Sequence, residues 1–447
     1  MKPLLVSLEY PPHSFGGVGS HVFNLSKCLA ARGIECAVLS PGPRDDASRS
    51  GGVTHFTTPI SGAAGLKLLS FAAKVPRCIR RIRRTFAFDI VHSHFGSCAF
   101  AGPGSLHGAP MVETAHGTHY GELLALSPLA KLTPREIVGK YTVYPALSVL
   151  DFLCYRKSSA IIAVSELARD EVTRYGRRFL DKTVVIPNGI ELSEFALELR
   201  QPRPDGKVLH CLCVAFMQAR KGLDYLLEAF GVLAAEGALA RDCALARDDV
   251  LAREGTLAGR GASASGGSPG RGSASAGGGL PEGQDLPDGG GRPGRGSASL
   301  TIVGDGPHCG RLRKLAHDLC ISDSVRFAGR LDRAALKEEF ARADAFVLPS
   351  LWEGQGIVFL EAMASGLPIV ATRIPGVEGM LQDGANALLV PPRDGPALAR
   401  AILELAGSPE LRARLASEGL RRVRQYDWNQ LVERVVSLYA SVLGGRV

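Results

Sequence analysis

The stretch Glu353-Gly-Gln-Gly-Ile-Val-Phe-Leu-Glu361-Ala-Met-Ala-Ser-Gly366-Leu-Pro-Ile-Val decides how this chain reads. An apolar run, Ala345 to Pro349, has the look of a buried strand. It leads into a loop with Glu353, two glycines, and then a helix that carries Glu361. The first amides of a helix lack intrahelical partners, and with the helix dipole they favour an anion such as a diphosphate. Gly354 and Gly356 let such a ligand come close to the backbone, and the amides from Gly354 to Ile357 would receive it. Glu353 stands before the helix and Glu361 about a turn inside it. Their carboxylates can accept hydroxyls on either side of the diphosphate, a sugar on one side and a ribose on the other. That layout suits a nucleotide sugar.

The segment resembles the donor-site motif of the retaining family-4 glycosyltransferases, which have the GT-B fold. The shared pattern is two glutamates around Gly-x-Gly-Ile, followed by Glu-Ala-Met-Ala-Ser-Gly-Leu-Pro. The resemblance implies an α/β architecture of two doubly wound, Rossmann-like domains facing a central cleft. It also implies Glu361 on the ribose hydroxyls and Glu353 on the donor sugar.

The rest of the chain agrees with such a scheme. With 447 residues it is too long for one ordinary core. Short apolar strands alternate with helices in both halves, the mark of parallel sheets covered on both faces. In the first half they are Pro3–Leu8, Cys36–Leu39, Ile90–Val91, Val112–Glu113, Ala160–Val164 and Thr183–Ile186. In the second they are Leu209–Val214, Leu300–Val303, Ser324–Phe327, Ala345–Leu348, Pro368–Ala371 and Ala387–Val390. The expected domains are residues 1–198 on the acceptor side and 199–424 on the nucleotide-sugar side, with the boundary in the polar stretch 199–206. A C-terminal helix, 425–447, starts at Asp427. Its stripe of Trp428, Leu431, Val435, Leu438, Tyr439 and Val442 suits a return to the first domain. Between 237 and 299 the chain is Gly, Ala, Ser, Arg and Pro with a repeated Pro-Gly-Arg-Gly-Ser-Ala-Ser. It reads as a disordered insertion, because so little apolar surface cannot offset the entropy of ordering.

Other motifs carry candidate chemistry. Tyr10-Pro-Pro-His-Ser-Phe-Gly16-Gly17-Val-Gly-Ser-His21 lies between a strand and a helix, where glycines can cradle phosphate on backbone amides. The dinucleotide fingerprint fails there, because Val22 stands at its third glycine. The loop resembles the family's first loop, and the resemblance gives Gly16 and Gly17 a place over the donor phosphates. Arg220-Lys221-Gly222 follows the strand Leu209–Val214, and two cations there can neutralise a diphosphate leaving group. Lys221 and Gly222 match the family, but its frequent upstream arginine falls on Phe216, so that contact is either missing or taken over by Arg220. His116, before Gly117 at a strand end, matches a family histidine near the donor sugar or phosphate. His92, His94, His116 and His119 have no Cys or acidic residue in company, so no metal is expected, and the family works without one. Gly304-Asp-Gly-Pro307, Phe327-Ala-Gly329-Arg330, Ser165-Glu166 and Pro187-Asn-Gly-Ile190 match further family landmarks.

The net charge of +8 is compatible with a nucleotide, a phosphorylated acceptor or an anionic membrane surface. Aromatic residues are 6% and no nucleic-acid motif occurs, which argues against nucleic acid. Scattered cysteines and an N-terminus that opens on a strand point to the cytoplasm. The basic stretch Lys74–Arg84 can lie on anionic lipid at the inner face of the membrane, or pack inward by Val75, Cys78, Ile79 and Ile82. The reading is a nucleotide-sugar-dependent glycosyltransferase acting on an unidentified hydroxyl acceptor and needing no cofactor. Its rivals are a GT-B epimerase and a degenerate sugar-nucleotide-binding protein. A GT-B phosphorylase would need a pyridoxal-phosphate lysine, and nothing marks one.

Overall fold

A computed structural model describes residues 1–13, 16–62, 64–125, 132, 137–195, 197–198, 208–239 and 297–444. They form two sheets, each clothed by helices. The first holds β1 (Pro3–Val6), β2 (Cys36–Pro41), β3 (Asp46–Ser50), β4 (Val53–Thr58), β5 (Ile90–His94), β6 (Met111–Ala115), β7 (Ala160–Ala163) and β8 (Thr183–Val185), in the order β3-β4-β2-β1-β5-β6-β7-β8. The second holds β9 (Val208–Val214), β10 (Ser297–Val303), β11 (Val325–Gly329), β12 (Ala345–Leu348), β13 (Ile369–Thr372) and β14 (Ala387–Val390), in the order β11-β10-β9-β12-β13-β14. All pairs are parallel except β3 with β4. Strands such as β1 and β12 are buried at every position, as a sheet covered on both faces requires.

The helices that matter below are α1 (Gly17–Ala31), α2 (Ala64–Ile82), α3 (His119–Ala125), α4 (Glu166–Arg174), α5 (Leu223–Ala235), α6 (Ile357–Ala364) and α7 (Trp428–Gly444). In each sheet the order reverses beside the first strand, between β1 and β5 and between β9 and β12. Doubly wound sheets open their ligand crevices at such points, outside the carboxyl ends of the strands.

Helix α7 lies on the first sheet. Trp428, Leu431, Val432, Val435 and Tyr439 are buried in one cluster with Leu5, Val22, Leu25 and Ile90. The chain returns at a two-bond bridge: Ile190 N donates to Tyr426 O (2.8 Å) and Trp428 N to Ile190 O (3.1 Å). Helix α2 buries Leu68, Phe71, Val75, Cys78, Ile79 and Ile82, so its apolar stripe packs inward, while Lys67, Lys74, Arg77 and Arg80 face solvent. No helix among the described residues is long and apolar enough to cross a membrane.

Two expectations need correction. The β3–β4 pair is absent from the strands expected above. At its edge β3 is exposed at all five residues, held by backbone pairing and not by burial. The insertion is also narrower than 237–299. Ala238 is buried, Leu239 bridges to Ala298, and β10 begins at Ser297, paired with Val208. Extension of the neighbouring strand β9 recruits these small residues into the sheet. The remainder of the insertion, 240–296, and the boundary stretch 199–206 lie outside the described residues.

Candidate functional site

At the second switch point, β9 delivers Arg220 and Lys221, and β12 delivers Glu353. The Glu353 carboxylate is buried and accepts from Lys221 Nζ (2.5 Å) and Ser350 Oγ (2.7 Å) on the same oxygen. Arg220 Nη1 stands 3.8 Å from the other oxygen, and Arg220 Nε lies 3.5 Å from Glu122 on α3. Burial works against the charge of Glu353, but Lys221 and Arg220 outweigh it and hold the carboxyl below its usual range. Burial also lowers Lys221, with Glu353 pulling the other way. Lys221 and Glu353 thus face each other as a close pair at the cleft, with Arg220 alongside.

The loop that follows opens α6. Gly356 caps the helix at φ +78°, a conformation that a side chain resists. A Cβ on Gly354 would stand 2.0 Å from the His116 carbonyl oxygen, so only glycine lets the loop sit on the first domain here. Ile357 is the first helical residue, and no side chain caps this helix start. One helical turn on, Glu361 is partly exposed, and its carboxylate has no hydrogen bond or ion pair among the described residues. Burial raises it to about 7, with Glu194 adding to the rise while Arg333 and Lys337 oppose it.

The first domain contributes histidines. His116 ends β6, and its Nε2 lies 3.2 Å from His94 Nδ1. His21 of α1 meets His116 edge-on at 4.6 Å. Ring nitrogens of His21, His94 and His116 lie within 4.8 Å of one another. His92 packs on His94 with ring centroids 4.2 Å apart, but its nitrogens are taken by Tyr439 (2.5 Å) and Thr114 (2.6 Å), and His119 stands apart on Asp151 (2.9 Å). Burial depresses His21 and His92 to about 3, and His94 and His116 well below the usual range.

Gly16 and Gly17 flank the start of α1, but an internal carboxylate has claimed that end. Glu9 Oε2 accepts from Gly19 N (3.0 Å), and a Cβ on Gly16 would lie 2.5 Å from the same oxygen. Gly17 is exposed. Glu9, His21, Glu122 and Glu171 escaped the sequence reading because their partners are distant along the chain. His21 carried a signal nonetheless, since it closes the glycine loop already singled out, and Glu9 stands directly before that loop. Phe216 is 57% exposed after β9 and brings no cation.

Two family models match the chain: Glycosyltransferase Family 4 over residues 15–194 and Glycosyl transferases group 1 over residues 294–422. The chain belongs to the family-4-type GT-B glycosyltransferases. It is an enzyme of the hexosyltransferase kind. The glycogen synthase of Mycobacterium tuberculosis is 26% identical to this transferase, across 100% of the chain and 96% of the relative. The phosphatidyl-myo-inositol mannosyltransferase of Mycobacterium leprae is 28% identical across 96% and 95%. Anabaena HepE, solved in complex with UDP and glucose, shares the fold with a TM-score of 0.64 at 17% identity, covering 99% of this chain and 100% of that one.

Proposed function

We propose that this transferase is retaining, and that it moves a sugar from a nucleotide-sugar donor to a hydroxyl acceptor (glycan, glycolipid or small molecule). The observation that carries the reading is the Lys221–Glu353–Arg220 cluster, with Glu353 buried at its centre, beside the start of α6, and the Glu361 carboxylate one turn beyond, without a hydrogen bond or ion pair among the described residues. In this reading Glu361 accepts the ribose hydroxyls and Glu353 those of the donor sugar. Lys221, Arg220 and the amides from Gly354 to Ile357 stabilise the charge that builds on the leaving diphosphate. Those cations and amides neutralise the diphosphate without a metal. His116, kept neutral under the Gly354 loop, offers a hydrogen bond to the donor sugar or phosphate. No side chain is assigned as a nucleophile. The acceptor attacks on the face that the leaving group vacates, and the departing phosphate takes its proton, as in the family this chain resembles.

Support for the donor class comes from HepE, which holds UDP and glucose in the same fold. Support for a peripheral membrane contact is confined to the solvent-facing cations of α2, because its apolar face is spent on the core. The test is incubation with a panel of nucleotide sugars, with nucleoside diphosphate release followed by chromatography and product configuration read by NMR. One donor consumed with its anomeric configuration kept is the expected result. An inverted product overturns the retaining assignment, and a panel left intact overturns the donor site.

A further inference from the structure

The loop that carries Glu353 is anchored on the opposite domain. Ser165 Oγ donates to the Gly354 carbonyl (2.5 Å), Asn188 N to Gln355 Oε1 (2.5 Å), and Gln355 Nε2 to the Asn188 carbonyl (3.3 Å). The fourth tie differs in kind. Trp352 Nε1 donates to Glu171 Oε1 (3.0 Å), and Glu171 Oε2 accepts from the amide (3.0 Å) and hydroxyl (2.9 Å) of Thr118. Glu171, on α4, is 2% exposed. A buried carboxylate is costly unless donors surround it, and here one of its three donors belongs to the other domain. The surroundings are shaped for the contact. A Cβ on Gly117 would lie 2.4 Å from the Trp352 ring, and one on Gly121 2.0 Å from Glu171 Oε1. The other neighbour of the Trp352 ring is Arg220, whose guanidinium carbon stands 5.4 Å from the ring centroid.

We infer that Glu171 is a positioning residue for donor binding. It fixes Trp352, and through it the adjoining Glu353 and the stacked Arg220, only when the two domains are together. Opening the cleft breaks the Trp352–Glu171 bond and returns both groups to water. Nucleotide binding and domain closure thus become one equilibrium, and weakening the closed form lowers apparent affinity in proportion. This inference rests on the donor reading above.

The test uses the full chain as wild type, Trp352→Phe, Glu171→Gln and the double variant. UDP, GDP, ADP and dTDP are titrated calorimetrically into each, and small-angle scattering is recorded without nucleotide. Trp352→Phe keeps an aromatic ring on the loop but removes the N–H, together with the outer ring edge that faces Gly117. It should weaken binding of the preferred nucleotide about tenfold, as expected for one hydrogen bond to a charged group. It should also enlarge the nucleotide-free radius of gyration. The double variant should bind no worse than the weaker single one, since Glu171→Gln weakens the same contact that Trp352→Phe removes. A lower melting temperature with unchanged affinity and radius would mean a merely structural Glu171 and overturn the inference. So would losses that multiply in the double variant. If the wild type binds none of the four nucleotides, the donor reading fails while the scattering still decides the latch.

Discussion

The wall of the cleft supplied by the first domain carries a patch of neutral histidines, whereas the wall supplied by the second centres on paired charges. His21, His92 and His94 are buried and His116 is nearly so, and desolvation holds all four in their uncharged form. Glu353 is as hidden from water as they are, but it is paired: Lys221 and Arg220, both only partly exposed, lie within 4 Å of its carboxylate. The difference teaches where leaving-group charge is handled. A patch of neutral histidines orients a ligand through hydrogen bonds and adds no charge where it stands. A wall of preformed ions meets developing charge without reorganising.

The contrast breaks most sharply at Lys221. Lys221→Ala removes the cation nearest Glu353 and leaves a buried carboxylate poorly compensated. Release of nucleoside diphosphate from the donor should fall by about 10²- to 10³-fold. Unfolding in denaturant should show a stability loss on the order of 3 kcal/mol. An activity within a few fold of wild type would mean that the charged wall is not where the leaving group sits.

Acid separates the walls by a smaller amount. A buried histidine with a folded pKa near 3 and an unfolded one of 6.5 refuses a proton that the unfolded chain accepts. Stability is therefore full above pH 6.5 and drains as pH falls toward 3, by about 1.4 kcal/mol per pH unit for each histidine. Glu361 and Glu113, raised from 4.5 to about 7, act in the opposite sense between pH 7 and 4.5. Melting temperature should thus decline gently from pH 6.5 to 4.5 and steeply below. His21→Leu should flatten the slope, and a profile unchanged by that substitution would contradict the neutral wall.

The smallest effect sharpens the charged wall. Phe216→Arg places a guanidinium on the exposed loop after β9, and calorimetry should find nucleotide binding a few fold tighter, the scale of one partly exposed charge-assisted bond. Weaker binding would mean that Phe216 has a packing role of its own against the ligand.

What the sequence disclosed follows from how local each feature is. Ala345–Leu348 reads as a buried strand because every residue in it is apolar, and the glycines around Glu353 announce a helix start. The strand Asp46–Ser50 offers no such pattern, since its stability lies in pairing with Val53–Thr58. Lys221 and Glu353 were each found by resemblance, but their pairing across 132 positions is a fact of the fold. Glu171 and Trp352 are further apart still, at 181 positions, and nothing local ties them together. Trp352 was nevertheless in plain view beside Glu353, and a large ring in a glycine loop is a reasonable signal of contact across the cleft.

The central claim is that the loop from Glu353 to Glu361 binds a nucleoside diphosphate. Its most direct test is thermal stabilisation of the purified protein by UDP, GDP, ADP and dTDP, wild type against Glu361→Ala, at pH 6 and pH 8. The account predicts a shift with one nucleotide, lost in the variant. In the wild type that shift should be larger at pH 8, because a carboxyl with a pKa of about 7 accepts two ribose hydroxyls only when ionised. A nucleotide that stabilises Glu361→Ala as well as the wild type would contradict it.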